Sequence, residues 1–196
     1  MTMTPRLSRS FHWLNATQFL GALNDNLFKL LVSIFLIRAL GVSRSSEIAG
    51  VAGLLFALPF LLLTPAAGVL ADRFSKRTIV VLAKALEIVV MSLGVAAFLA
   101  GSAPMLYAVL FLMSAQSALF GPAKYGIIPE LVERAQLSLA NSRIVSATYL
   151  AIIIGTFSAP AAVTLAGGRV APVAWLCIAV AIAGTATSLG DRKSVV

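Results

Sequence analysis

The segment GVLADRFSKR, residues 68–77, connects two long apolar runs of this 196-residue chain. Four of its last six residues are charged: Asp72, Arg73, Lys76 and Arg77. A short basic segment between apolar runs is typical of a loop at a membrane surface, because basic side chains accumulate at the cytoplasmic face. An ordinary basic turn is the simplest alternative. The segment predicts a hairpin of two membrane-spanning helices.

The composition of the whole chain supports this prediction. Hydrophobic residues make up 60% of it, charged residues only 11%, and the mean hydropathy is +0.98. Soluble domains are about 45–50% apolar and about 25% charged. This excludes a cytosolic enzyme, a DNA-binding domain and a disordered chain. The net charge of +8 is spread between apolar runs and forms no basic stripe, so we expect no nucleic-acid partner.

The apolar runs predict six transmembrane helices. A helix needs roughly 20 apolar residues to span a bilayer. The runs are continuous rather than alternating, which argues against a β-barrel, and a Gly-Ser-Ala-Pro turn at 101–104 divides the longest. We therefore predict an all-α membrane protein, with residues 1–196 as a single transmembrane domain. The predicted spans are about 16–37, 48–71, 78–100, 104–122, 144–166 and 172–189.

Lysine and arginine are distributed unevenly between alternate connections. With a cytoplasmic N-terminus, the inner connections hold nine and the outer ones three. This asymmetry predicts that both termini are cytoplasmic. The inner set is Arg6, Arg9, Arg73, Lys76, Arg77, Arg134, Arg143, Arg192 and Lys193, and the outer set is Arg38, Arg44 and Arg169.

The longest inner connection, residues 122–143, has two interpretations. Pro129 followed by Glu130 is typical of a helix start, which favours a short helix on the cytoplasmic surface. An ordinary solvated connector fits the charge pattern equally well.

The sequence supplies little for enzyme chemistry. His12 is the only histidine, so a Ser-His-acid arrangement within the apolar core is not available. No Cys/His cluster has metal-ligand spacing, and no phosphate-binding glycine loop follows a strand. We expect neither an enzyme nor a metal or cofactor site.

The first span carries polar residues at mid-run: Asn24, Asp25 and Asn26, followed by Lys29. An ionisable side chain at mid-membrane costs about 2.5–3.5 kcal/mol on insertion scales, so it normally faces a partner or a wet cavity. Asp25 and Lys29 share a helix face and could neutralise each other. The flanking amides favour a binding site instead.

The third span carries Lys84 and Glu87, three positions apart on one face. Nothing beside them extends the polar surface, so a structural pair is favoured over a substrate contact. Their role stays open.

The fourth span ends in FGPAKYG, residues 120–126. Gly121 and Pro122 are expected to unwind or kink the helix beside Lys124. A basic anchor at the membrane surface is the alternative. The first and fourth spans occupy equivalent positions in two sets of three, which predicts two three-helix repeats with a transporter's binding site between them.

These motifs resemble those of a known family. Residues 68–77 resemble the G-x-L-A-D-R-x-G-R-R loop of the major facilitator superfamily, with Ser75 where the family has glycine. Segments 19–26, 121–127 and 139–142 are similar to the lysophospholipid transporter group of that superfamily. In the loop, Gly68 is expected to allow close helix packing and Asp72 to lie at a helix N-terminus. Its basic residues Arg73, Lys76 and Arg77 would contact inner headgroups.

The resemblance implies a carrier in the inner membrane that moves lysophospholipid from the outer to the inner leaflet by alternating access. Asp25 would face the headgroup amine and Lys124 the phosphate, with Asn24 and Asn26 lining the same site. The implied partners are lysophospholipid, membrane lipid and an acyltransferase or acyl-activating enzyme. The family has twelve spans, so this chain would be the N-terminal half, completed by a C-terminal half or a second copy.

Two other functions stay open. The chain could belong to a carrier for a drug or metabolite, with Asp25 binding a cation. It could also be a membrane module that does not transport and docks an acyltransferase through residues 122–143.

Overall fold

The computed structural model describes residues 7–190 and consists of six long helices in that range. Arg6, Arg192 and Lys193 of the predicted inner set lie outside the described residues. Short 3₁₀ turns at Val42–Arg44 and Arg134–Gln136 precede the second and fifth helices. The helices are α1 Arg9–Leu40, α2 Ser45–Arg73, α3 Lys76–Ala100, α4 Ala103–Leu131, α5 Leu137–Leu165 and α6 Ala171–Leu189.

All six helices are long and apolar enough to cross a membrane, which confirms the predicted all-α class. The local sequence explains where several of the helices begin and end. Ser8 caps α1 by accepting a hydrogen bond from the backbone N–H of Phe11, and Ser102 caps α4 in the same way. Gly41 and Gly101 follow α1 and α3 with positive φ angles of 100° and 64°, which only glycine adopts readily.

The unwinding expected near Gly121 and Pro122 was wrong, because α4 continues through both residues to Leu131. Residues 129–131 are its last turn rather than a separate surface helix, and α5 begins at Leu137 rather than near 144. The connection predicted at 122–143 is therefore only residues 132–136. Proline in a membrane helix is tolerated when neighbouring groups satisfy the freed carbonyls, so its presence does not fix a helix end.

The helix packing has the symmetry of two three-helix repeats. Helix α1 packs mainly on α5 and α6, and α4 packs mainly on α2 and α3. If α1, α5 and α6 are replaced by the helices three places away in the chain, which are α4, α2 and α3, the first set of contacts becomes the second. Helices α1 and α4 meet each other, as do α3 and α6. This arrangement agrees with half of a major-facilitator fold.

Alternate connections lie at opposite ends of the bundle. At one end, the Ser8 hydroxyl donates to the Leu131 carbonyl at 2.7 Å, which joins the start of α1 to the end of α4. At the other end, Arg38 donates to the carbonyl of Gly168. Of the described Lys and Arg residues in the two predicted sets, six lie at the first end and three at the second. Which end is cytoplasmic stays a prediction.

The loop between α2 and α3 differs from two expectations. A Cβ atom added at Gly68 would meet nothing within 4 Å, so this glycine marks no close helix contact in the described chain. Asp72 lies exposed in the last turn of α2, not at a helix N-terminus. The loop is instead tied to α4 by a salt bridge of 2.8 Å between Lys76 Nζ and Glu130 Oε1.

Candidate substrate cavity

A cavity of about 710 Å³ lies between the two repeats. Helices α1 and α4 form its longest walls, α2 and α5 close its sides, and α3 contributes one lysine. Along α1 it lies between two packed apolar clusters, one at residues 7–14 and one at residues 27–36. Its lining residues are Gln18, Gly21, Ala22, Asp25, Asn26, Lys29, Phe56, Phe60, Thr64, Lys84, Gln116, Ser117, Ala118, Phe120, Gly121, Pro122, Lys124, Tyr125, Thr148 and Ile152.

The contribution of α1 follows helical periodicity. Its lining positions are 18, 21, 22, 25, 26 and 29, which recur three and four residues apart and so share one face. Asp25 and Asn26 are therefore in the cavity wall. Asn24 is turned about 100° from Asp25 and is not a lining residue. Its amide donates to Glu87 Oε1 at 2.6 Å, so the structure places it against α3 rather than in the predicted site.

Asp25 is not neutralised by its own helix. Its Oδ2 accepts a hydrogen bond of 2.7 Å from the Ser117 hydroxyl of α4, and no salt bridge joins it to Lys29. The Lys29 ammonium instead donates to Asn26 Oδ1 at 3.3 Å and lies 4.6 Å from the Phe56 ring centroid. The alternative in which Asp25 pairs with Lys29 therefore does not describe this structure. A buried carboxylate faces the cavity with one hydrogen bond from the described residues.

Lys124 also faces the cavity. Its side chain is buried although it belongs to the last two turns of α4. The ammonium lies 4.4 Å from the ring centroid of Tyr125 and 5.8 Å from that of Phe120. Aromatic faces attract cations, so the rings hold the charge at the cavity wall. This position differs from that of a lysine anchored at the membrane surface.

Lys84 and Glu87 form a buried salt bridge with 2.5 Å between Nζ and Oε2. The structural interpretation of this pair agrees with that geometry, and Asn24 extends the pair to α1. Lys84 nevertheless lines the cavity as well. The sequence did not indicate this, because only the packing of α1, α3 and α6 brings Lys84 there.

Several other polar lining residues were not predicted. Gln18 donates to the Thr148 hydroxyl at 2.9 Å and joins α1 to α5. Gln116 donates to the Ala83 carbonyl at 2.9 Å and joins α4 to α3. The signal for these residues was available. Gln18 lies seven positions before Asp25, on the same helix face, and Ser117 and Gln116 lie about two turns before Lys124.

The cavity surface combines charge and apolar area. Three ammonium groups and one carboxylate line it, and Glu87 lies behind Lys84. The aromatic rings of Phe56, Phe60 and Phe120 form much of the remaining wall. Such a surface suits a ligand with an anionic group, a smaller cationic group and an apolar part. The predicted loop residues Gly68, Asp72, Arg73, Lys76 and Arg77 are not among the lining residues.

The sequence matches the model of the Major Facilitator Superfamily over residues 14–193. The chain belongs to the major facilitator superfamily. The recognition made from the loop at 68–77 is thereby confirmed.

Several similar proteins carry the name of a lysophospholipid transporter. The chain is 33% identical to "Lysophospholipid transporter LplT" of Pectobacterium carotovorum over 153 residues, which is 78% of this chain and 35% of that protein. It is 30% identical to proteins of the same name from Serratia proteamaculans, over 79% of this chain and 37% of the relative, and from Yersinia pestis, over 78% and 35%. The chain thus spans little more than a third of the length of the relatives it matches.

Proposed function

We propose that the protein translocates lysophospholipids across a membrane, from the outer to the inner leaflet. The main support is the cavity at the repeat interface, which combines the buried carboxylate of Asp25 with three lysines and an aromatic wall. In the proposed complex Asp25 binds the amine of an ethanolamine headgroup and Lys124 binds the phosphate. Asn26 and Lys29 line the same site, and the acyl chain remains against the aromatic side or in lipid.

The size and chemistry of the cavity suit this class of ligand. Small-molecule sites in proteins measure about 300–1,000 Å³, and about 710 Å³ falls within that range. Desolvated charge pairs orient a zwitterionic headgroup, because each of its charges meets a group of opposite charge. The names of the relatives supply the choice of lysophospholipid among possible amphipathic ligands.

Alternating access is the proposed mechanism. The two repeats pack symmetrically around the cavity, so a small rocking of one against the other would change which side is open. The loop residues Gly68, Asp72, Arg73, Lys76 and Arg77 lie where such a movement would be transmitted, beside the salt bridge from Lys76 to α4. The proposed location is the inner membrane, with both termini cytoplasmic.

A second six-helix unit is the proposed partner. Helices α2 and α5 bury the smallest share of their apolar windows, and both border the cavity. Their exposed side chains include Leu61, Leu62, Tyr149, Ile153 and Phe157. Since the relatives are much longer than the matched region, the proposed occupant of this face is a C-terminal half. The mass of the purified protein tests this proposal. A mass of two copies of this chain would show that a second copy occupies the face instead.

The proposed product is lysophospholipid in the inner leaflet. A lipid with one acyl chain is a substrate for re-acylation, so an acyltransferase or acyl-activating enzyme is the proposed downstream partner. Docking of that enzyme through residues 122–143 stays a prediction, and most of that segment belongs to α4 and α5.

Uptake of labelled lysophosphatidylethanolamine tests the proposal. Spheroplasts that express the complete gene are compared with spheroplasts that express Asp25→Ala or Lys124→Ala. Uptake by the wild type and loss in both variants supports the proposed site. Equal uptake by the wild type and both variants overturns the proposed site. Competition by a drug-like cation but not by single-chain lipids favours a drug or metabolite as the substrate.

A further inference from the structure

Lys84 occupies a slot in the cavity wall formed by two glycines. A Cβ atom added at Gly21 of α1 would lie 2.5 Å from the Lys84 Nζ, and one added at Gly184 of α6 would lie 3.5 Å from it. Any side chain at Gly21 would therefore displace the ammonium. The close packing of α1, α3 and α6 thus leaves room for this cation.

Hydrogen bonds fix the backbone of α3 at the same level. Thr185 of α6 donates to the Lys84 carbonyl at 2.9 Å, and Gln116 of α4 donates to the Ala83 carbonyl at 2.9 Å. These two bonds tie α3 to both of its main neighbours. Lys84 therefore projects from a part of α3 that is hydrogen-bonded to both neighbouring helices, an arrangement that supports a binding side chain.

The Glu87 carboxylate and the Lys84 ammonium have different numbers of hydrogen-bond partners. Glu87 is satisfied on both carboxylate oxygens, by Lys84 on Oε2 and by Asn24 on Oε1. An ammonium group has three donors. Among the described residues, Glu87 is the one hydrogen-bond acceptor of Lys84 Nζ. The donors that remain are on a side chain that lines the cavity.

Lys84 and Lys124 lie near one aromatic ring. Their ammonium nitrogens are 5.7 Å and 5.8 Å from the centroid of Phe120. An anionic group that enters this cavity is attracted by both cations, because both line it. Two charge-assisted hydrogen bonds hold a phosphate more firmly and in a more defined orientation than one.

We propose that Lys84 is a second binding residue for the anionic group of the transported lipid, positioned by Glu87. The inference rests on the proposed function. When the cavity holds no anion, Glu87 stabilises the buried ammonium. When a phosphate enters beside Phe120, Lys84 donates its free hydrogens to the phosphate oxygens while it keeps the bond to Glu87. Glu87 is a positioning residue and Lys84 contacts the ligand.

A double variant separates this role from a structural one. Lys84→Gln alone would leave a buried unpaired carboxylate, which is strongly destabilising. Lys84→Gln together with Glu87→Gln removes both charges, keeps the side chains polar and similar in size, and leaves no unpaired charge. If the pair serves only structure, the double variant transports like the wild type. If Lys84 binds the anion, the double variant folds and its apparent KM for lysophosphatidylethanolamine rises about tenfold or more.

The measurement is uptake kinetics in spheroplasts expressing the complete gene, with the melting temperature of each purified protein as the folding control. A folded double variant with an apparent KM within threefold of the wild type overturns the inference and leaves the proposed function intact. Absence of uptake by the wild type overturns the proposed function itself.

Amine labelling of the wild type tests the same contact should the double variant not fold. Lysophosphatidylethanolamine is expected to reduce modification of Lys84 by a membrane-permeant amine reagent at least threefold, as measured by mass spectrometry. Monoacylglycerol, which has no phosphate, is the control ligand and should not reduce it. Equal modification with both lipids overturns the inference.

Discussion

The Ser117 hydroxyl of α4 donates to the Asp25 carboxylate of α1 at 2.7 Å. This bond crosses between the two repeats, from the first helix of one to the first helix of the other. It leaves the second oxygen of Asp25 free of a protein hydrogen-bond partner within the described chain, on a side chain that lines the cavity. The carboxylate is thus oriented by the opposite repeat and remains available to a ligand.

Removal of the Ser117 hydroxyl should weaken transport without abolishing it. Ser117→Ala deletes the donor to Asp25 but keeps the carboxylate, so we expect a loss of about threefold to tenfold in kcat/KM, the equivalent of one hydrogen bond. Uptake kinetics provide the measurement. Ser33→Ala is the matched control, because within residues 7–190 the Ser33 hydroxyl donates only to the Lys29 carbonyl of its own helix. Equal effects of the two changes would contradict the role assigned to Ser117.

The affinity for lysophosphatidylethanolamine should depend more on the positive charge of Lys124 than on the shape of its side chain. Lys124→Ala removes the proposed phosphate contact, and we expect the apparent KM for lysophosphatidylethanolamine to rise at least tenfold. Lys124→Arg retains the charge and can still lie over the Tyr125 ring, so it should keep part of the affinity. Substrate titrations of uptake distinguish the two variants. An unchanged KM for Lys124→Ala would rule out the contact.

Gly155 should be intolerant of a methyl group. A Cβ atom there would lie 2.5 Å from the Leu23 carbonyl oxygen, which is backbone and cannot rotate away. Helix α5 would have to move from α1, and such overpacking typically costs about 1–3 kcal/mol. Thermal unfolding in detergent should therefore show a lower melting temperature for Gly155→Ala. Gly53→Ala is the control, since a Cβ at Gly53 meets nothing within 4 Å. Equal melting temperatures would show that this helix contact is looser than described.

The orientation predicted from basic residues can be tested with single cysteines. Ser43 and Ser75 are exposed and lie in connections at opposite ends of the bundle. The native Cys177 is buried and should give little background labelling. In intact spheroplasts, a membrane-impermeant maleimide should modify Ser43→Cys and not Ser75→Cys. The reverse pattern would show that the termini are on the outer side.

The sequence was informative wherever a property is local. Continuous apolar runs predicted six spans, and the segment at 68–77 predicted the family. The orientation inferred from the asymmetric distribution of basic residues stays a prediction. Asp25, Asn26 and Lys124 were all predicted as site residues, and all three line the cavity. An ionisable residue in an apolar run is a strong signal, because lipid penalises it wherever the helix packs.

Properties that depend on packing were harder to predict. Lys84 is in the cavity wall only because Gly21 and Gly184, more than sixty positions away in each direction, leave space for it. Asn24 was predicted as a site residue because it is next to Asp25. One residue along a helix turns the side chain by about 100°, and Asn24 contacts Glu87 instead of the cavity. The unwinding expected at Gly121 was wrong, since α4 is continuous to Leu131. The neighbours of Gly68 also depend on helix packing, and a Cβ atom there would meet nothing within 4 Å in the described chain.

Equilibrium binding of labelled lysophosphatidylethanolamine to the purified wild type and to Asp25→Asn tests whether this carboxylate is kept for a ligand. The substitution preserves size and the ability to accept a hydrogen bond from Ser117 while it removes the charge. We expect affinity to fall at least tenfold, with a melting temperature close to that of the wild type. Equal affinity in the two proteins would contradict the assignment of Asp25 as the residue that receives the lipid headgroup.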